Sequence, residues 1–253
     1  MNFVESMSLC ILAPLFAAAL SFAWPRAGRW LALSAGAAIA LGAAALAHDV
    51  LNIGVLRHHV SGWAAPLGIE LRVDGLAALM LIVAAAIGLA ITIYAPYYFS
   101  AGAHGHDAES KHQQNYFWPL WMFLWAALNA LFLSADIFNL YVTLELLGFS
   151  AVMLVALAGQ GPAFKAAMRY LFVSLSGSLF YLMGVGLIYG AYSTVDLALL
   201  KTLVKPAPVT WIALALMTAG LLMKSALFPM HFWLPPAHAN APAPVSALLS
   251  ALV

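Results

Sequence analysis

Stretches of about twenty apolar residues, separated by short polar segments, recur along most of the chain. A bilayer core about 30 Å thick needs roughly 20 apolar residues per helix. The pattern therefore predicts an all-α integral membrane protein with about seven full transmembrane helices and a truncated eighth. The first span runs from about Phe3 to Trp24 and stops at Pro25-Arg26, and the second runs from about Trp30 to Asn52. The third, Gly75 to Phe99, leaves the membrane through Tyr94, Tyr97 and Tyr98, an interfacial aromatic belt. Almost nothing joins the fourth (Phe117 to Ala135) to the fifth (Ile137 to Gly159). Gly161-Pro162 precedes the sixth, about Ala163 to Ala191, and the seventh runs from about Val209 to Leu227 and stops at Pro229. The apolar residues after Val245 are too few to span, so the chain is expected to end inside a helix.

The polar segments differ in kind. Between Ile53 and Asp74, the pieces Val-Ser-Gly-Trp and Gly-Ile-Glu-Leu-Arg-Val turn and alternate like a short hairpin. Ser100 to Asn115 reads as a polar loop, as does the stretch holding Asp196, Lys201 and Lys205. Prolines 229, 235, 236, 242 and 244 predict a helix break, with most of 224–245 non-helical. Residues 1–116 group as three N-terminal helices with the hairpin-like loop 53–74, and 117–253 as a second unit.

Composition settles the solvent. Of 253 residues, 65% are hydrophobic and 8% charged, against about 25% charged in a soluble domain, so most of the surface must face lipid. A net charge of +1 excludes nucleic acid as a partner, which would call for a concentrated basic face. The single cysteine, Cys10, excludes an internal disulfide and a thiolate metal site. No basic residue precedes the first apolar run, which is too long for a signal peptide and reads as a retained span. Loops on the side of Arg26 carry five Lys/Arg (Arg26, Arg29, Lys111, Lys165, Arg169) and the other side four (Arg57, Arg72, Lys201, Lys205). By that one-residue difference the positive-inside rule leans only weakly toward an outside N-terminus.

Of the charges that fall within the spans, Glu145 and Lys224 call for an account. Glu145 is the ninth residue of its span, about 14 Å deep, where an acid costs roughly 2.5–3.5 kcal/mol on insertion scales. A leucine would pack there without that cost, so the acid reads as functional, against a neutral glutamic acid that merely glues helices. Lys224 sits nearer its span's end, where snorkelling competes; the apolar residues after it and the break at Pro229 weigh against that. A lysine can release its proton, so facing an acid it can act as a two-state element. His231 and His238 flank Phe-Trp-Leu-Pro-Pro-Ala and suit a proton relay or an interfacial loop equally. His104, His106 and His112 with Asp107 and Glu109 read as a solvated loop, not a metal site. Asp136 reads as an N-cap of the fifth span, and Ser174, Ser176, Gly177 and Ser178 as small residues that allow close helix packing.

The segment 224–250, Lys-Ser-Ala-Leu-Phe-Pro-Met-His-Phe-Trp-Leu-Pro-Pro-Ala-His-Ala-Asn-Ala-Pro-Ala-Pro-Val-Ser-Ala-Leu-Leu-Ser, closely resembles the signature of the antiporter-like subunits. These are the proton-translocating membrane subunits of respiratory complex I, membrane-bound hydrogenases and multi-subunit cation/proton antiporters. Phe138 to Ser150 is similar to that family's fifth span and residues 165–190 to its sixth. The resemblance makes Glu145 and Lys224 the pair that switches during pumping. It makes Pro229 the start of the family's discontinuous helix, and His231 and His238 signature positions. It also implies that 117–253 is a first antiporter-like repeat, in a multi-pass protein of the cell's inner (plasma) membrane. Pro236 and Asn240 stand where many relatives carry acids, and Ser250 where the largest complex I antiporter-like subunit has a histidine; the latter points to the hydrogenase or cation-antiporter side. Family members are about twice as long, so this chain is expected to hold one half-channel.

Nothing in the sequence binds a flavin, an iron–sulfur cluster or a nucleotide. No cofactor, metal or catalytic residue is expected in this chain, and any redox chemistry would belong to partner subunits. The expected function is a proton-translocating subunit of a complex I-like NADH:quinone oxidoreductase or a hydrogenase, among other membrane subunits and lipid. The alternatives are a subunit of a Na⁺/H⁺ antiporter or related ion-driven complex, and a truncated scaffold that transports nothing.

Overall fold

A computed structural model describes residues 2–63, 68–101 and 108–253. Among these described residues, six helices are long and apolar enough to cross a membrane: α1 (Phe3–Ala23), α2 (Gly28–Ile53), α3 (Gly75–Ala101), α4 (Ala108–Leu133), α5 (Ile137–Ala156) and α6 (Gly161–Tyr192). A seventh apolar helix, α8 (Pro208–Lys224), is shorter, at 17 residues. Short helices α7 (Leu197–Leu203), α9 (Leu234–Asn240) and α10 (Ala243–Ala251) complete the order.

Helix α4 is the hub, with 67% of its spanning window buried. Lipid is as apolar as leucine, so helices in a membrane associate through close packing rather than by escaping water. Here the knobs are indoles and the holes are glycines. A Cβ on Gly28 would stand 2.7 Å from Trp118, and one on Gly88 would stand 2.5 Å from Trp125. The Trp121 indole donates to the hydroxyl of Thr92 (2.9 Å) and Asn129 to the Cys10 carbonyl (2.7 Å), which gives buried polar groups partners inside the bundle.

On one end of the bundle, β1 (Leu56–His59) pairs antiparallel with β2 (Glu70–Val73). The Val60–Gly62 piece expected in the hairpin is a 3₁₀ turn, and β1 precedes it. Isolated bridges join Leu71 to Ser134 and Asp136 to Asp196, so three connections are tied together on this side. Asp136 caps α5 by accepting from the Asn139 N–H, as its position predicts, and Asp196 caps α7 in the same way through Leu199. Burial, aided by the facing Asp196 carboxylate, pushes the Asp136 carboxyl up from its ordinary value, against the pull of its backbone hydrogen bonds.

Several expected boundaries are corrected. The stretch around Glu109 and His112 is not a loop, because α4 starts at Ala108, and α7 interrupts the polar segment that follows α6. Polar residues stop a helix from lying in lipid but not from continuing beyond it. His104, His106 and Asp107 lie outside the described residues. The stretch 224–245 is not mostly non-helical. A 3₁₀ turn (Met230–Trp233) runs directly into α9. Pro235 and Pro236 occupy the first turn of α9, where the missing N–H has no intrahelical partner to lose. They start a helix rather than break one. The break itself lies at 225–229, with Ala226 at φ 51° and a cis bond before Pro229.

Candidate functional site

The two intramembrane charges meet. Glu145 projects from the middle of α5 and Lys224 from the last turn of α8, and Nζ of Lys224 lies 3.0 Å from Oε1 of Glu145. Their side chains are 14% and 12% exposed, so the pair is largely but not completely enclosed. The neighbouring helix α6 supplies two hydroxyls. Ser178 donates to the same Glu145 oxygen, and the Ser174 hydroxyl accepts from the Lys224 ammonium at 3.2 Å. The Leu144 carbonyl accepts a longer third contact from Lys224 at 3.5 Å.

Glycines make this convergence possible. A Cβ on Gly148 would meet the Ser174 hydroxyl at 2.8 Å, and one on Gly220 would stand 2.3 Å from the carbonyl of Gly177. Helices α6 and α8 therefore touch backbone to backbone, which brings a lysine on α8 across to an acid on α5.

The attraction offsets most of the cost of burying the pair. Inserting both charges costs roughly 5–7 kcal/mol on insertion scales. Their attraction at 3–4 Å is roughly 4–5 kcal/mol at an effective dielectric of 20. Pairing therefore recovers most of the cost of burying the two charges, and pulling them apart inside the bundle forfeits that attraction unless another charge or water replaces the lost partner.

Lys224 borders two adjoining cavities. One, of about 310 Å³, is bordered by Leu144, Gly148, Ser174, Tyr170 and Trp233. The other, of about 240 Å³, is bordered by Ser225, Trp233, His238 and Ser250. Either could hold several waters at about 30 Å³ each. Trp233, Ser225 and Val253 also line both cavities; Trp233 is buried, stacks on Tyr170 with centroids 4.2 Å apart, and donates from Nε1 to the Met223 carbonyl at 3.2 Å. That carbonyl belongs to the residue just before Lys224.

The two histidines part company. His238 shares the second cavity with Lys224, and its Nδ1 lies 2.9 Å from the Ser246 hydroxyl. His231 is exposed, packs near Phe228 with centroids 5.6 Å apart, and borders neither cavity. Sequence reasoning missed Ser174 and Ser178 as partners of the pair. Their four-residue spacing on one helix face was the available signal. Among the described residues, no group of three or more His, Cys, Asp or Glu is arranged to hold a metal.

Comparison with known proteins bears on this arrangement. A family model described as "NADH:quinone oxidoreductase/Mrp antiporter, TM" matches residues 134–253, the part that contains Glu145 and Lys224. The chain belongs to the antiporter-like membrane subunit family. It is 36% identical to NADH-quinone oxidoreductase subunit N of Desulforudis audaxviator, over 97% of this chain and 49% of that protein. It is 30% identical to a Na(+)/H(+) antiporter subunit of Bacillus subtilis, over 97% of this chain and 49% of that protein. A chain in the structure of an archaeal respiratory membrane complex, the membrane-bound sulfane sulfur reductase, superposes with a TM-score of 0.87 at 29% identity. That match covers 99% of this chain and 50% of the other. This antiporter-like chain is a multi-pass membrane protein that spans about half the length of the relatives it matches.

Proposed function

We propose that this antiporter-like chain carries protons as part of a multi-subunit complex in the cell's inner (plasma) membrane, with Glu145 and Lys224 as its switching pair. The observation that carries the reading is the contact itself: an acid and a lysine, largely enclosed within the bundle, with two cavities bordering the lysine. In the paired state the ammonium is held by Glu145 and Ser174. When a charge elsewhere draws Glu145 away, the lysine loses its counter-charge and its proton becomes easier to release. His238, across the second cavity, is the acceptor within reach of a short water chain. Residues 117–253 act as one transport repeat, and residues 1–116 pack beside it. Any redox chemistry that drives the movement takes place on partner subunits.

A second reading rests on the 30% identity to an antiporter subunit: the same pair couples proton movement to a metal cation with no redox step. Both readings use Glu145 and Lys224 alike. The test is a double-mutant cycle, with Glu145→Gln, Lys224→Gln and the double variant assembled in the complex and reconstituted into vesicles. A switching pair gives each single variant nearly the full loss of proton flux, and the double variant little more. Flux that survives in both singles would leave the chain as a scaffold. Repeating the assay with and without sodium or potassium separates the two transport readings.

A further inference from the structure

On the cation-richer side of the bundle, Lys165 and Arg169 lie four residues apart on α6, both exposed. Neither has a hydrogen bond or ion-pair partner among the described residues. Directly further along the helix, Arg169, Phe172, Val173 and Ser176 border a hollow of about 370 Å³ that Met223 and Phe232 close from the side. Phe172 and Phe232 are themselves 62% and 56% exposed, so the slot opens outward.

The level of these groups in the membrane narrows the occupant. Helix α6 has 32 residues, about 48 Å at 1.5 Å each, and so overhangs a core of about 30 Å by roughly 9 Å at each end if centred. Lys165, about 6 Å from the start of the helix, then lies among headgroups. Arg169, about 12 Å in, lies at the edge of the hydrocarbon, and the hollow lies within it. A solvated face would explain two cations. It would not explain two cations stacked above an apolar slot. A carboxylate on a partner helix could meet Arg169, but it would have to be carried into hydrocarbon at a cost of roughly 2.5–3.5 kcal/mol. A molecule with a phosphate at headgroup level and a chain below carries no such cost. The one-residue excess of Lys/Arg on this face leans toward the cytoplasmic leaflet, which is rich in anionic lipid.

We propose that Lys165 and Arg169 hold the phosphate of an anionic phospholipid whose acyl chain lies in the hollow between Phe172, Met223 and Phe232. The guanidinium offers two parallel donors to phosphate oxygens, and the lysine adds a mobile charge. The lipid chain would touch Met223, the residue before Lys224, and so would brace the end of the helix that carries the proposed switch.

The test uses the assembled complex, delipidated and titrated with dioleoyl-phosphatidylglycerol or dioleoyl-phosphatidylcholine, with bound lipid counted by native mass spectrometry. Phosphatidylglycerol is expected to bind tighter. Lys165→Gln combined with Arg169→Gln should weaken it about thirty-fold, about fivefold per cation, and leave phosphatidylcholine unchanged. Ser176→Phe, which fills the hollow and leaves both cations, should weaken both lipids. Arg26→Gln with Arg29→Gln, on the same face but away from the slot, should change neither. Unaltered phosphatidylglycerol binding in the Lys165/Arg169 variant overturns the site, as it would if a partner's carboxylate held Arg169. An equal loss in the Arg26/Arg29 variant overturns it in favour of diffuse surface charge, and unaltered binding in Ser176→Phe removes the acyl slot.

Discussion

The ammonium of Lys224 and the hydroxyl of Ser178 converge on one oxygen of Glu145. Three helices thus meet at a single atom: α5 supplies the acid, α6 a neutral donor and α8 the cation. The Ser178 donor needs only an acceptor, so it can remain in place when the charge on the other side changes.

Replacing Glu145 with Gln keeps an acceptor for Ser178 and removes the counter-charge of Lys224. Proton flux through the reconstituted complex should fall to background, while membrane insertion and assembly, followed on native gels, persist. Loss of assembly with flux per complex intact would assign Glu145 to helix packing.

Lys224→Arg keeps the positive charge but not the capacity to give up a proton, because a guanidinium stays charged in proteins. Flux should again be lost. Restored flux in this variant would mean that Lys224 serves as a fixed charge only.

Gly148→Ala tests the packing that supports the pair. The added methyl meets the Ser174 hydroxyl at 2.8 Å, so Ser174 must turn or the α5–α6 spacing must widen. Overpacking of this kind costs about 1–3 kcal/mol. Flux should drop and the melting temperature fall. Gly186→Ala on α6 meets nothing within 4 Å and should leave flux unchanged.

Asp136 offers a test of pH dependence outside the spans. Its carboxyl is held above its ordinary value, chiefly by burial and also by the charge of Asp196. A raised acid favours the protonated fold, so ionisation costs stability as pH rises above about 4, the unfolded value. Asp136→Asn keeps an acceptor for the Asn139 N–H and removes that cost. Thermal melts in detergent should show the variant more stable than the parent at pH 7, with the gain shrinking as pH is lowered toward 4. Asp136→Ala, which also loses the cap, should be less stable than Asp136→Asn by about 1 kcal/mol.

The spans were legible because hydrocarbon imposes a length and forbids exposed backbone, which leaves a strong imprint on composition. Glu145 and Lys224 stood out for the same reason: a charge is conspicuous where it is costly. Asp136 was legible as a cap, since an acid between two apolar runs has few other uses. The rest depended on registration between helices, which no single segment encodes. Ser174 and Ser178 look like packing residues until α5 and α8 are placed against their face of α6. His231 and His238 look equivalent until the turn at 225–229 sends one outward and the other toward Lys224. Pro235 and Pro236 look like breakers because their effect depends on their position in a helix, and position is known only once the helix start is fixed.

The glycine seam between α6 and α8 has a mechanical consequence. Gly177 meets Gly220, and Gly184 meets the Ala213 carbonyl, too closely for a Cβ at any of the three glycines without displacement. Two rods in such contact behave as one beam, since sliding either along the other would drive side chains into the facing backbone. Ser174, Ser178 and Lys224 all ride on this beam, and Glu145 does not. The distance between the charges can then change by a swing of either side chain, the lysine's long arm or the glutamate's shorter one, or by a shift of α5 against the beam. The first is a pendulum and the second a piston. A cross-link between α5 and α6 that spares the four polar side chains would stop the piston and leave the pendulum free.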